Sequence, residues 1–110
     1  MKTPEKLVLR ACMDYLRTLR PDIVAWRSNN AGVRVGEGAS RYAFHGTKGV
    51  PDIVGVLPGG RFLGIECKSD TGRQSPEQED MQERIEAAGG RYLLVRSAAD
   101  LAEGLKETAL

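Results

Sequence analysis

The chain is short of the residues that usually carry metal clusters or disulfide frameworks. Its 110 residues include two cysteines, one histidine and one tryptophan, and aromatics make up 5%. Two cysteines far apart in sequence cannot build a cysteine-dense secreted framework, and one histidine beside them does not complete a zinc site. No apolar run approaches the roughly eighteen residues needed to span a bilayer, and the chain does not open with a basic segment followed by an apolar one. A cytoplasmic protein is therefore expected, with no membrane partner. Charge of one sign is also lacking, since the formal net charge is +1. Its distribution is uneven: residues 1–50 carry nine basic and four acidic side chains, and residues 51–110 carry seven and eleven. A locally basic surface can bind phosphates in a near-neutral protein, although ordinary solvated charge explains the same counts.

What is present is one domain's worth of patterned sequence, so residues 1–110 are read as a single domain. Thr3-Pro4 reads as a helix cap followed by a first-turn proline, and a helical period runs to Arg20 before Pro21. Val8, Leu9, Cys12, Tyr15, Leu16 and Leu19 form its apolar face. Glu5 falls on that same face, while Lys6, Arg10 and Arg17 leave from other sides as surface charges. Residues 23–27 read as a strand, 28–39 as a turn-rich connection or loose hairpin, and 40–44 as a further short strand. VPDIVGVL at 50–57 and RFLGIECK at 61–68 flank Pro58-Gly59-Gly60 as a central hairpin. Ser75-Pro76-Glu77-Gln78 opens a capped helix whose apolar side collects Gln78, Met81, Ile85 and Ala88, with a stop at Gly89-Gly90. A strand at 91–96 and a Ser97-capped helix at about 98–107 complete an α/β fold, a mixed sheet with helices against it.

Strand alternation puts Glu66 and Lys68 on one face, Ile65 and Cys67 on the other, and Asp52 near the same end of the hairpin as Glu66. Ionisable groups amid Ile53, Val54, Leu63 and Ile65 are costly unless paired or bound to metal. With Glu5 and Gln78, three carboxylates, a lysine and an amide are candidates to converge. Carboxylate oxygens suit Mg²⁺ or Mn²⁺. Such a site acidifies water and stabilises a phosphodiester's transition state, with Lys68 placed to orient the water or offset charge on a nonbridging oxygen. No G-x-x-x-x-G-K-[ST] loop is present, so the glycines of HGTKGVPD are read as permitting a tight turn before Asp52 and a close approach to a phosphodiester backbone.

GVPD at 49–52 followed by ECK at 66–68 resembles the PD…(D/E)xK signature of restriction-type endonucleases. Together with Glu5, GTKGVPDIVG, FLGIECKSDTGRQSPEQ and RYLLVR, it resembles the VRR-NUC family of viral-type replication and repair nucleases, from Glu5 to about Asp100. The resemblance implies a restriction-endonuclease-like core in αβββαβ order and a Mg²⁺-dependent endodeoxyribonuclease, with Mn²⁺ also supporting activity. It matches Asp52 and Glu66 to the metal-binding acids, Lys68 to the catalytic lysine, Glu5 to the acid of the first helix and Gln78 to the glutamine beside the site. It further implies a phage or bacterial protein acting as a homodimer on branched DNA such as four-way (Holliday) junctions. Gln78 can equally serve as a capping-box residue.

Arg27, Arg34, Arg41, Lys48 and Arg73, with Asn29 and Asn30, are candidate phosphate contacts, and His45 lies beside them. Trp26 is read as a core or interface aromatic rather than a stacking platform, with Tyr42 and Phe44 adding apolar bulk. Cys12 and Cys67 read as buried free thiols. The rival functional class is a catalytically idle DNA-binding module. Among enzymes, the alternative is a site-specific or nicking endonuclease acting on linear duplex or flaps.

Overall fold

The computed structural model describes residues 3–28, 33–34, 42–43 and 47–107, with only the backbone described at 33–34 and 42–43. The elements run α1 (Glu5–Leu19), β1 (Val24–Arg27), β2 (Val33–Arg34), β3 (Tyr42–Ala43), β4 (Ile53–Val56), β5 (Phe62–Cys67), α2 (Pro76–Ala87), β6 (Arg91–Val95) and α3 (Ala98–Glu107). Strands β1, β4, β5 and β6 form one sheet in that spatial order, and β2 pairs with β3 in a separate antiparallel ribbon. The first three strands of the sheet are antiparallel neighbours, while β5 and β6 run parallel because α2 crosses between them. This is the expected mixed sheet flanked by helices, a restriction-endonuclease-like α/β core.

Alternation sorts the side chains onto two unlike faces. Ile53, Leu57, Leu63, Ile65, Cys67, Leu93 and Val95 point to one side and pack against Val8, Cys12, Met13 and Leu16 of α1 and Leu101 and Leu105 of α3. The opposite face carries Asp52, Glu66 and Tyr92, with α2 laid over its β6 side. Val24, Trp26, Val56 and Phe62 line the rest of that face and are exposed. Trp26, read from sequence as core or interface, is 52% exposed and is not part of the core. Among the described residues β1 pairs only with β4, and no helix covers this side of it.

Two details of α1 depart from the expected pattern. Thr3 is not its cap: Pro4 occupies that position without a side-chain hydrogen bond, and its carbonyl accepts from the Leu7 and Val8 N–H groups. Leu19 is 67% exposed while Met13 is buried, because the apolar stripe that meets the sheet is narrower than the full set of apolar positions and ends before the last turn. The α2 cap forms as expected, with Gln78 N–H donating to Ser75 Oγ and Ser75 N–H to Gln78 Oε1. Helix α2 is only half-buried along Met81 and Ile85, and Ala88 is exposed. Ser97 Oγ accepts from Asp100 N–H at the start of α3. Cys12 and Cys67 are both fully buried and free, with contact with Cys12 and burial holding the Cys67 thiol above its usual range. Among the described residues no helix is long and apolar enough to cross a membrane.

Candidate metal centre

The site forms where the hairpin of β4 and β5 meets the start of α1. Asp52 comes immediately before β4 and Glu66 is the next-to-last residue of β5. The pairing of Ile53 with Ile65 therefore puts the two acids on the same face at the same end. Pro51 is buried, and its ring packs into the notch left by Gly64, where a Cβ would come within 2.7 Å of the proline Cγ. The proline thus fixes the chain one residue ahead of Asp52. Asp52 is held from both ends: its carbonyl accepts from Ser28 N–H at 2.8 Å, and its Oδ2 accepts from Cys67 N–H at 2.8 Å.

Glu5 reaches the same point from the first turn of α1. It lies on the helix stripe of Val8, Cys12 and Leu16 but beyond the end of the core, so it is exposed rather than buried. One carboxylate oxygen from each of Glu5, Asp52 and Glu66 lies within 4.8 Å of the others. Glu66 is 1% exposed, and its Oε1 is a buried polar atom with no hydrogen-bond partner. Its Oε2, by contrast, accepts from Gln78 Nε2 at 2.7 Å and lies 3.5 Å from Lys68 Nζ. Burial and the neighbouring Asp52 charge push the Glu66 carboxyl up to about 8, with Lys68 acting in the opposite sense. Such a group is unstable as an isolated anion and well suited to a cation. Three converging carboxylates, one with an orphaned oxygen, fit a hard divalent ion that takes oxygen ligands.

Gln78 carries both of its proposed duties at once. Its Oε1 closes the capping box while its Nε2 holds Glu66, so the start of α2 is tied to the acid cluster. Gly49 makes this possible: it has φ of 82°, and a Cβ there would lie 2.3 Å from the Glu77 carbonyl oxygen. The tight turn expected before Asp52 is present, and what the glycine approaches is the first turn of α2.

Lys68 is 8% exposed, with its stem against Gly72. Arg96, which the sequence did not single out, holds the turn over this stem by donating from Nη1 to the Ser69 and Gly72 carbonyls, the latter at 2.9 Å. Its only sequence signal was a basic residue closing a strand. Tyr92, also overlooked, is buried on the Glu66 face with its hydroxyl accepting from Gln74 Nε2 at 3.2 Å, and burial pushes the phenol up.

The candidate DNA contacts whose side chains are described, Arg27, Lys48 and Arg73, do not gather in one place. Arg73 is exposed in the loop after Lys68, Lys48 lies over the start of α2 beside Glu77 and Asp80, and Arg27 points toward α1. Only the backbone of Arg34 is described, and Arg41, His45, Asn29 and Asn30 lie outside the described residues.

Comparison with known proteins agrees with this geometry. The chain is 27% identical over 82 residues to "Putative nuclease p44" of Acyrthosiphon pisum secondary endosymbiont phage 1, covering 74% of this chain and 88% of that protein. The VRR-NUC domain matches residues 3–99, a span that holds Glu5, Asp52, Glu66, Lys68 and Gln78. With that match over most of its length and a carboxylate cluster fit for a divalent cation, the chain belongs to the VRR-NUC domain family and is a metal-dependent nuclease.

Proposed function

We propose that the protein is a Mg²⁺-dependent endodeoxyribonuclease that selects branched DNA, foremost four-way junctions, and acts as a homodimer of single-domain protomers in the cytoplasm of a bacterial host. The observation that carries the nuclease chemistry is the convergence of Glu5, Asp52 and Glu66 around the unpartnered Oε1 of Glu66. Asp52 and Glu66 would hold the cation, with Glu5 as the third carboxylate. A divalent cation bound there supplies Lewis-acid polarisation of the phosphodiester and acidification of water.

This chain's own residues do the rest. Gln78 fixes one oxygen of Glu66 and leaves the other free to ligate. The Cys67 N–H restrains one oxygen of Asp52 in the same way. Lys68, held in place by the turn at residues 69–72, brings a cation to the same face as the acids, where it orients the attacking water and offsets charge developing on a nonbridging oxygen. The low exposure of Glu66 and Lys68 keeps bulk water from screening these interactions.

Two considerations support the substrate reading. Resolving a four-way junction takes two cuts in opposed strands, and the described residues form one carboxylate cluster, so twofold symmetry would provide the second. The exposed row of Val24, Trp26, Val56 and Phe62 beside the site offers apolar area for a second protomer. Sizing by light scattering, followed by a Mg²⁺ cleavage panel of four-way junction, flap, linear duplex and single strand on the same sample, tests both. A dimer that cuts the junction best supports the proposal, and a monomer that cuts flaps or linear duplex while leaving junctions intact overturns it.

A further inference from the structure

Helix α1 and the edge strand β1 enclose a groove of about 550 Å³ that is lined by Lys6, Arg10, Arg17 and Arg27 and by a single acid, Asp14. At 100° per residue, Lys6, Arg10 and Arg17 fall within roughly 40° of one another, and they span about 16 Å of the helix. They are therefore one stripe facing Arg27, not charges scattered around α1. All four are exposed, and none forms an ion pair with another described residue. Lys6 and Arg10, like charges four residues apart near the start of α1, are mildly destabilising to the helix, whereas Arg17 suits its last turn. Leu9 and Met13 lie on the same groove, where the alkyl stems of the basic side chains can rest while their heads stay in water.

The groove lies on the α1 side of the sheet and approaches the metal centre through two chain neighbours. Lys6 follows Glu5, and Arg27 precedes Ser28, whose N–H donates to the Asp52 carbonyl. A strand that rounds Glu5 at the start of α1 would meet Lys6, the first basic residue of the groove. Its length of about 16 Å corresponds to about five nucleotide steps at 3.4 Å of rise each. We infer that this groove holds the sugar–phosphate backbone of a nucleic-acid arm leaving the metal centre, with Lys6, Arg10 and Arg17 as phosphate contacts. The inference rests on the nuclease reading and extends it from the cleavage point to the track of the substrate. Phosphate contacts of this kind position a duplex without reading its bases, so the track is indifferent to sequence.

The test compares full-length wild type, the triple variant K6Q/R10Q/R17Q, and R84Q/K106Q as a control that removes exposed positive charge elsewhere. Binding of a labelled DNA duplex is followed by anisotropy in EDTA across a salt series, with thermal melting and light scattering on each sample. Three lost contacts should reduce the slope of log K against log salt by up to about 2.7, a loss of up to ~500-fold at 0.1 M relative to 1 M salt. The control should stay within about twofold of wild type. The single R10Q variant, expected to lower the slope by up to about 0.9, carries the same test should the triple variant melt early. Unchanged slope and affinity in the triple variant would overturn the groove assignment while leaving the nuclease reading intact if wild type still cleaves DNA. A triple variant that only changes from dimer to monomer would mark the stripe as a subunit contact and overturn it as well. If wild type neither binds nor cleaves DNA, the nuclease reading fails and the groove assignment falls with it.

Discussion

Replacing Glu66 with glutamine separates what the carboxylate does for folding from what it does for metal binding. In the folded protein the Glu66 carboxyl is pushed up to about 8 from an ordinary 4.5, first by burial and then by the charge of Asp52. Between those values the folded state holds a proton that the unfolded chain has lost, so stability falls as pH rises from about 4.5 to about 8. At pH 7 the cost of that buried carboxyl is about 3 kcal/mol. Glutamine removes the charge and keeps an acceptor for Gln78 Nε2, but it also removes the partner 3.5 Å from Lys68 Nζ. The net gain for E66Q in EDTA at pH 8 should be about 1–3 kcal/mol, or a rise in Tm of several degrees in a domain of this size. The gain should shrink to within about 1 kcal/mol at pH 5. Adding Mg²⁺ should reverse the order, since wild type gains about 4.1 kcal/mol at one thousand times its Kd, whereas E66Q has lost a ligand. Differential scanning fluorimetry at the two pH values, with and without Mg²⁺, reads all four conditions. An E66Q protein that melts below wild type in EDTA at pH 8 would refute the reasoning that a buried, cation-seeking carboxylate destabilises the metal-free fold.

Three further outcomes follow from the same geometry. Asp52→Ala should lower stability by about 1–3 kcal/mol because it leaves the Cys67 N–H without its acceptor, whereas Asp52→Asn keeps an acceptor and should abolish cleavage with little loss of Tm; equal melting of the two variants would contradict this. Gly49→Ala should lower Tm by several degrees and cut activity together, because a Cβ at φ of 82° meets the Glu77 carbonyl and displaces Gln78 from Glu66; a wild-type melt would contradict the close approach. Glu5→Gln should leave stability within about 0.5 kcal/mol while raising the Mg²⁺ concentration needed for half-maximal cleavage, and an unchanged metal titration would remove Glu5 from the site.

The elements that carry the site were legible because each rests on a local rule. The period of 3.6 placed Glu5 on the stripe of Val8, Cys12 and Leu16, and the period of two placed Glu66 and Lys68 on the face opposite Ile65 and Cys67. The Pro58–Gly60 turn fixed the register that brings Asp52 beside Glu66. Serine followed three residues later by glutamine marked the start of α2. What escaped depends on contacts between segments distant in sequence. Arg96 lies far along the chain from the turn it holds, and no local pattern links them. Of the two readings of Trp26, core or interface, the core one fails, because among the described residues β1 pairs only with β4 and no helix covers that side. Arg27 joins Lys6, Arg10 and Arg17 only because β1 packs beside α1, so charges that looked scattered on a helix form one wall of a groove.

Cleavage of plasmid and junction DNA as Mg²⁺ is titrated, with wild type and D52N assayed side by side and EDTA as the blank, tests the metal centre most directly. Wild type should cut DNA in proportion to cation occupancy and stop in EDTA, and D52N should show no cleavage at any Mg²⁺ concentration while melting close to wild type. Cleavage that persists in EDTA, or a D52N protein as active as wild type, would contradict the assignment of Glu5, Asp52 and Glu66 as the metal-binding cluster of a nuclease.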